Sequence, residues 1–268
     1  MVDEKTNGQV TGEGAQVDAD ELRARAGTFA FLARALSDEE LPVEFLGALA
    51  AGGLETGTAL DGYMAGLAGL SAEQLEERRR DLAADHSTCL LGMSARPVSP
   101  FESVYTTDEH LMRRDSCVKA RQAYAASGFA PADVLRVPED HIAVELQFCA
   151  MLLNRAADFV AANEPEAAGR DMVAQATFVC EHLVGWTPHF CDLLEDRAST
   201  DFYRGIAQML RRLVAEEFAE RGGSNGSQHA PNRISCERQV EISHVLPAVS
   251  AKNRCISQPV ARALRVGD

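Results

Sequence analysis

Apolar residues return every three or four positions over most of this chain, which is the spacing of one face of an α-helix. Leu22, Ala26, Phe29, Ala33 and Leu36 predict a first helix over about 20–36. Pro42 suits the first position of a short second helix carrying Val43, Leu46 and Leu49, stopped by Gly52-Gly53. Leu60, Tyr63, Met64 and Leu67 mark a third. Ser71 and Gln74 have capping-box spacing for a fourth that runs towards Leu91. Residues 92–107 break the pattern: Gly92, Pro97, Ser99 and Pro100 make a loop, yet it holds Phe101, Val104 and Tyr105. Mixed loops of this kind often bind while helices act as scaffold.

A fifth helix is expected over about 108–127, ending at Gly128. Pro138 then opens the clearest periodic run, Ile142, Leu146, Cys149, Leu153, Ala156 and Val160, which Asn163 and Pro165 end. A seventh helix, about 166–184, presents Met172, Val173, Ala176, Val179, Cys180 and Leu183. Thr187-Pro188 reads as the cap and first turn of an eighth. The ninth, about 200–220, carries Tyr203, Ile206, Leu210, Leu213 and Phe218. No convincing strand and no internal repeat emerges. The expected fold is all-α, a single domain of about nine helices over residues 19–221. Residues 1–18 read as a disordered tail and 222–268 as a linker and C-terminal tail.

Charge narrows the possible partners. The chain carries 26 Lys and Arg against 40 Asp and Glu, a formal net charge of −14. A phosphate backbone needs a basic face, so nucleic acid is excluded as a partner. Residues 233–268 hold six basic and three acidic residues, a charge of +3, which leaves −17 on the rest. No run approaches the roughly 18 apolar residues of a membrane span. Residues 1–20 have no apolar stretch resembling a secretory signal, so a cytoplasmic protein is expected. Seven scattered cysteines without a CxxC fit a reducing compartment.

The usual catalytic signatures are missing. There is no phosphate-binding glycine motif, no HExxH, no zinc-type Cys/His spacing and no nucleophile elbow. His141 and Glu145, one helical turn apart, form a metal pair or a solvated helix face. Three segments stand out. Pro138-Glu139-Asp140-His141 reads first as helix-start chemistry, with Asp140 as a carboxylate that can accept an arginine the second reading. Pro100-Phe101-Glu102-Ser103-Val104-Tyr105 is either a plug into the core or an aromatic, acidic binding loop. The stretch Phe178 to His182, with Trp186 and Phe190, reads first as core.

In order along residues 20–220, six segments resemble the TorD/DmsD/NarJ family of redox-enzyme maturation chaperones. They are Leu90-Leu91-Gly92, Pro100 to Tyr105, Pro138 to His141, Glu145-Leu146-Gln147-Phe148, His182-Leu183-Val184-Gly185-Trp186, and Phe202-Tyr203. The resemblance implies a non-enzymatic, cofactor-free chaperone, monomeric or homodimeric. Its partner would be a molybdopterin oxidoreductase precursor, bound by its twin-arginine signal peptide, its apo form, or both. The alternatives are an assembly factor for a non-exported subunit, as in the NarJ branch, and a metal-dependent helical enzyme. The family's peptide-binding positions carry over to Pro138, Asp140, His141, Leu90, Leu91, Pro100 and Phe101. Glu102, Glu139 and Tyr105 join them as further candidates by charge or apolar character. Leu91 stands where an aromatic is common, and Val137 where the family usually has Glu.

Overall fold

Helix boundaries follow local hydrogen-bond chemistry. The computed structural model describes residues 18–37, 40–52, 54–106, 115–131, 137–224 and 264–266. Helix α1 (Ala19–Ala35) starts behind Asp18, whose carboxylate accepts from the Asp20 N–H at 2.9 Å. Helix α2 (Val43–Ala50) has Pro42 as its cap rather than its first residue, and α3 (Ala59–Ala65) is capped by Thr58. Helix α4 (Ala72–Cys89) opens with the expected capping box: the Gln74 N–H donates to Ser71 Oγ and the Ser71 N–H to Gln74 Oε1.

Beyond α4 the expectations need correction. The central loop contains a short helix, α5 (Glu102–Thr106), and α6 is described over Asp115–Ala126. The expected helix start near 108 lies outside the described residues. Strand β1 (Phe129–Pro131) follows, although no strand was expected. A three-residue strand is too short for alternation to register. The long helix α7 (Ile142–Ala161) begins four residues after Pro138, capped by His141. It ends at Asn163, whose φ of 60° is the left-handed C′ geometry. The Glu164 N–H reaches Phe159 O and the Asn163 N–H reaches Val160 O, a Schellman closure.

Helix α8 (Pro165–Phe178) widens at its end into a π turn over Val179–Leu183, where the Val184 N–H bonds to Val179 O at 3.0 Å. Helices α9 (Thr187–Arg197) and α10 (Asp201–Ser224) complete ten α-helices among the described residues. Strand β2 (Leu264–Val266) pairs antiparallel with β1, Ala130 opposite Arg265, so part of the expected C-terminal tail lies on the body. The expected disorder of residues 1–17 and the linker beyond Ser224 lie outside the described residues, while 222–224, expected as linker, continue α10.

The core is built around α7, which packs along α1 on one side and α8 on the other. Residues Ile142 to Ala150 are all buried, as befits a central helix with no solvent face there. Trp186, Tyr124, Tyr203, Phe148 and Phe190 fill the interior. Val173 and Phe218, assigned to apolar faces by periodicity, are instead exposed. Polar braces hold the helices. Arg25 of α1 grips both Glu217 oxygens of α10, and Gln175 of α8 donates to the same carboxylate. Asp85 of α4 accepts from Ser199 N, Thr200 N and Thr200 Oγ, closing the approach to α10.

Helix α10 lies tight on α3 because Gly205 lets the backbones meet. A methyl group there would sit less than 3.0 Å from Leu60 N, Cα and Cβ. Gly205→Ala is therefore expected to lower stability by about 1–3 kcal/mol, the usual cost of overpacking. Urea unfolding checks this, and unchanged stability would mean that α3 yields freely.

Candidate functional site

Four of the six motif segments meet at the start of α7. The Ile142 N–H donates to Pro100 O at 2.8 Å and the Glu102 N–H to Asp140 O at 3.0 Å, pairing residues 100–102 antiparallel with 140–142. The Asp140 side chain extends the tie. Its Oδ2 accepts from the Ser103 N–H, in the first turn of α5, at 3.0 Å. His141 uses Nδ1 to accept from the Ala143 N–H at 3.1 Å, so that nitrogen carries no proton and the residue caps α7. Its ring meets Phe101 edge to face, with centroids 5.1 Å apart.

Inside this junction lies a cluster of acids. His182, delivered by the π turn, places Nδ1 2.9 Å from Glu102 Oε2 and stacks its ring on Phe178. Trp186 donates its indole N–H to the His182 carbonyl and stacks on Tyr105, whose hydroxyl donates to Ser99 O. Glu145, in the first turn of α7, is fully buried and neither of its oxygens has a well-formed hydrogen bond. Burial pushes its carboxyl well above the usual carboxylate range, and the charges of Glu102 and Asp140 push the same way. Burial thus favours the neutral form of this side chain. Ligand atoms of Glu102, Glu145 and His182 lie within 4.8 Å of one another, close enough to hold a metal ion. The pair considered from spacing, His141 with Glu145, is not that group, in which His182 supplies the imidazole while His141 caps α7 through Nδ1.

The ten candidate residues therefore divide by position. Leu90, Pro100, Glu102, Asp140 and His141 are buried, and Asp140 is 0% exposed. Leu91 is 45% exposed, while Phe101, Tyr105, Pro138 and Glu139 are half-buried. Glu139 already holds a guanidinium: Arg121 Nε donates to its Oε1 at 2.7 Å and Cys117 Sγ to its Oε2 at 2.8 Å. These bonds outweigh its desolvation and hold its carboxyl below the usual range. Met93, 75% exposed, lies beyond Leu91 on the loop after α4, and Arg197 steadies that loop through the carbonyls of Arg96 and Pro97. Sequence reasoning assigned no site role to His182, Arg121 or Cys117. His182 lies four residues before Trp186 in a quoted motif, but only the π turn aims it at Glu102.

Residues 49–192 match the family described as nitrate reductase delta subunit, and the chain belongs to that family. It is 30% identical to the chaperone protein TorD of Aliivibrio fischeri over 135 residues, 50% of this chain and 61% of that protein. The TorD of Vibrio cholerae is 26% identical over 145 residues, 53% of this chain and 63% of that protein. The chain thus spans a little over three fifths of these relatives, and the resemblance read from the six motifs is borne out. Among the described residues no helix is long and apolar enough to cross a membrane.

Two outcomes are expected. Glu145→Gln, an amide with the shape of the neutral acid, should unfold within about 1 kcal/mol of the parent or later, in buffer containing a chelator. Glu145→Ala should cost about 2–5 kcal/mol, as other core truncations do. Urea unfolding of both variants decides, and a Gln variant as unstable as the Ala variant would refute the neutral acid. For Glu139 the sign follows from its depressed pKa. Its contribution is present above the unfolded value of about 4.3 and lost as pH falls through the folded one. Glu139→Gln should therefore melt earlier than the parent at pH 7, with the gap closing below about pH 4.

Proposed function

We propose that this chain is a cytoplasmic chaperone that matures a molybdopterin oxidoreductase. It binds the precursor's twin-arginine signal peptide, its apo form, or both, assists cofactor insertion and delays export until maturation. The observation that carries the reading is the convergence of Pro100 to Tyr105, Pro138 to His141, Glu145 to Phe148 and His182 to Trp186 on one junction. The relatives named as TorD chaperones and the −17 charge outside the C-terminal segment support it.

The ten site residues divide their labour in this proposal. Phe101, Tyr105, Pro138 and Leu91 offer an apolar rim to the hydrophobic stretch of the leader, in the helix-in-groove mode. Glu139 meets an arginine and exchanges Arg121 for it. Asp140, His141, Glu102, Leu90 and Pro100 act from beneath, holding the rim in register. Asp140 is a positioning residue here, because it is fully buried and its Oδ2 holds the Ser103 N–H.

A second reading, an assembly factor for a non-exported subunit, is favoured by the family's description as nitrate reductase delta subunit. Calorimetric titration with the leader peptide of a molybdoenzyme separates the two. Binding should weaken with salt and disappear when both arginines become glutamines. Folded protein that ignores every such leader would leave the apoenzyme body as the target. Arg121→Gln should tighten leader binding by up to about fivefold and Glu139→Gln weaken it similarly, the worth of a partly exposed pair. Equal affinities in both variants would remove Glu139 from the site.

A further inference from the structure

Three side chains from separate elements converge in the core with too few donors between them. Glu102 comes from α5, Glu145 from α7 and His182 from the π turn, and all three are buried. His182 Nδ1 serves one oxygen, Glu102 Oε2. Both oxygens of Glu145 and Oδ1 of Asp140 have no hydrogen-bond partner. Buried carboxylate oxygens are almost always satisfied, and a buried centre of acids needs compensating positive charge. A proton on Glu145 supplies one donor. That proton turns one Glu145 oxygen into a donor towards Glu102, and the other Glu145 oxygen and Asp140 Oδ1 stay without a partner.

We infer that Glu102, Glu145 and His182 form an internal divalent-cation site, with His182 Nδ1 and one oxygen of each glutamate as ligands. Two carboxylates and an imidazole suit a borderline first-row ion such as Zn²⁺ or Mn²⁺, and the absence of a thiolate disfavours soft ions. Ligand atoms within 4.8 Å of one another reach Zn–N and Zn–O bond lengths of roughly 2.0–2.2 Å with small side-chain shifts. The ligands are 43 and 37 residues apart in sequence, so no local spacing announces them. An ion there clamps α5, α7 and the π turn, the elements beneath the rim. The site goes beyond the peptide-binding reading and does not depend on it.

The test uses the full chain, stripped with chelator, equilibrated with Zn²⁺ or Mn²⁺ and passed through gel filtration before elemental analysis. One retained equivalent and a melting temperature raised by several degrees are expected in the parent. Neither should occur in Glu145→Gln or His182→Asn. X-ray absorption of the zinc-loaded parent should show imidazole nitrogen and carboxylate oxygen, a readout that stands even if the variants fail to fold. A parent that retains no stoichiometric metal overturns the inference. Metal held equally by folded variants, or zinc bound by sulfur, overturns it too. A parent without metal combined with a stabilised Glu145→Gln would identify the cluster as a proton-sharing acid pair.

Discussion

Two backbone hydrogen bonds, Ile142 N–H to Pro100 O and Glu102 N–H to Asp140 O, join a loop to the start of the central helix. Most of the site depends on that junction. It places Asp140 where it can close the first turn of α5 and holds Glu102 where the π turn can present His182. It also sets Phe101 against His141, the cap of α7. Loss of the pairing would leave donors and acceptors of both segments unsatisfied in a buried place, which costs more than the net worth of the bonds.

The chemistry beneath the junction is costly. Glu102, Asp140 and Glu145 are acids in a core otherwise filled by Phe148, Phe178, Tyr124 and Trp186. Well-packed apolar residues would often be as stable as such a polar group or more so, whereas removal of one partner from a buried set is strongly destabilising. A π turn at the same place, with its i→i+5 bond, is a further departure from regular helix, and such turns concentrate at functional sites.

A layered site follows from this. Glu102, Asp140 and His141 are buried, whereas Phe101, Tyr105, Pro138 and Glu139 keep part of their surface open to solvent. Glu139 bridges the layers: its backbone carbonyl accepts from Tyr124 and its carboxylate holds Arg121 and Cys117. A carboxylate that already binds a guanidinium at a partly exposed place needs only an exchange of partners to bind another.

The helical class, most helix positions and the ends at Ser71 and Asn163 were legible from sequence, because periodicity and capping act within one or two turns of chain. The six motif segments were legible too, and with them the family. Their division into fully buried and half-buried side chains was not, nor were the strand pair, the α5 turn and the π turn. Asp140 reads as a free carboxylate until the fold brings Ser103 N–H to it from 37 residues away. Glu145 reads as an ordinary acid in a first helical turn until Glu102 and His182 surround it. Sequence alone determined what short-range hydrogen bonding and amphipathic spacing can specify. Tertiary structure decided which charges lose water and which carboxylates meet, because desolvation and long-range pairing belong to the packed core and not to any local stretch of chain.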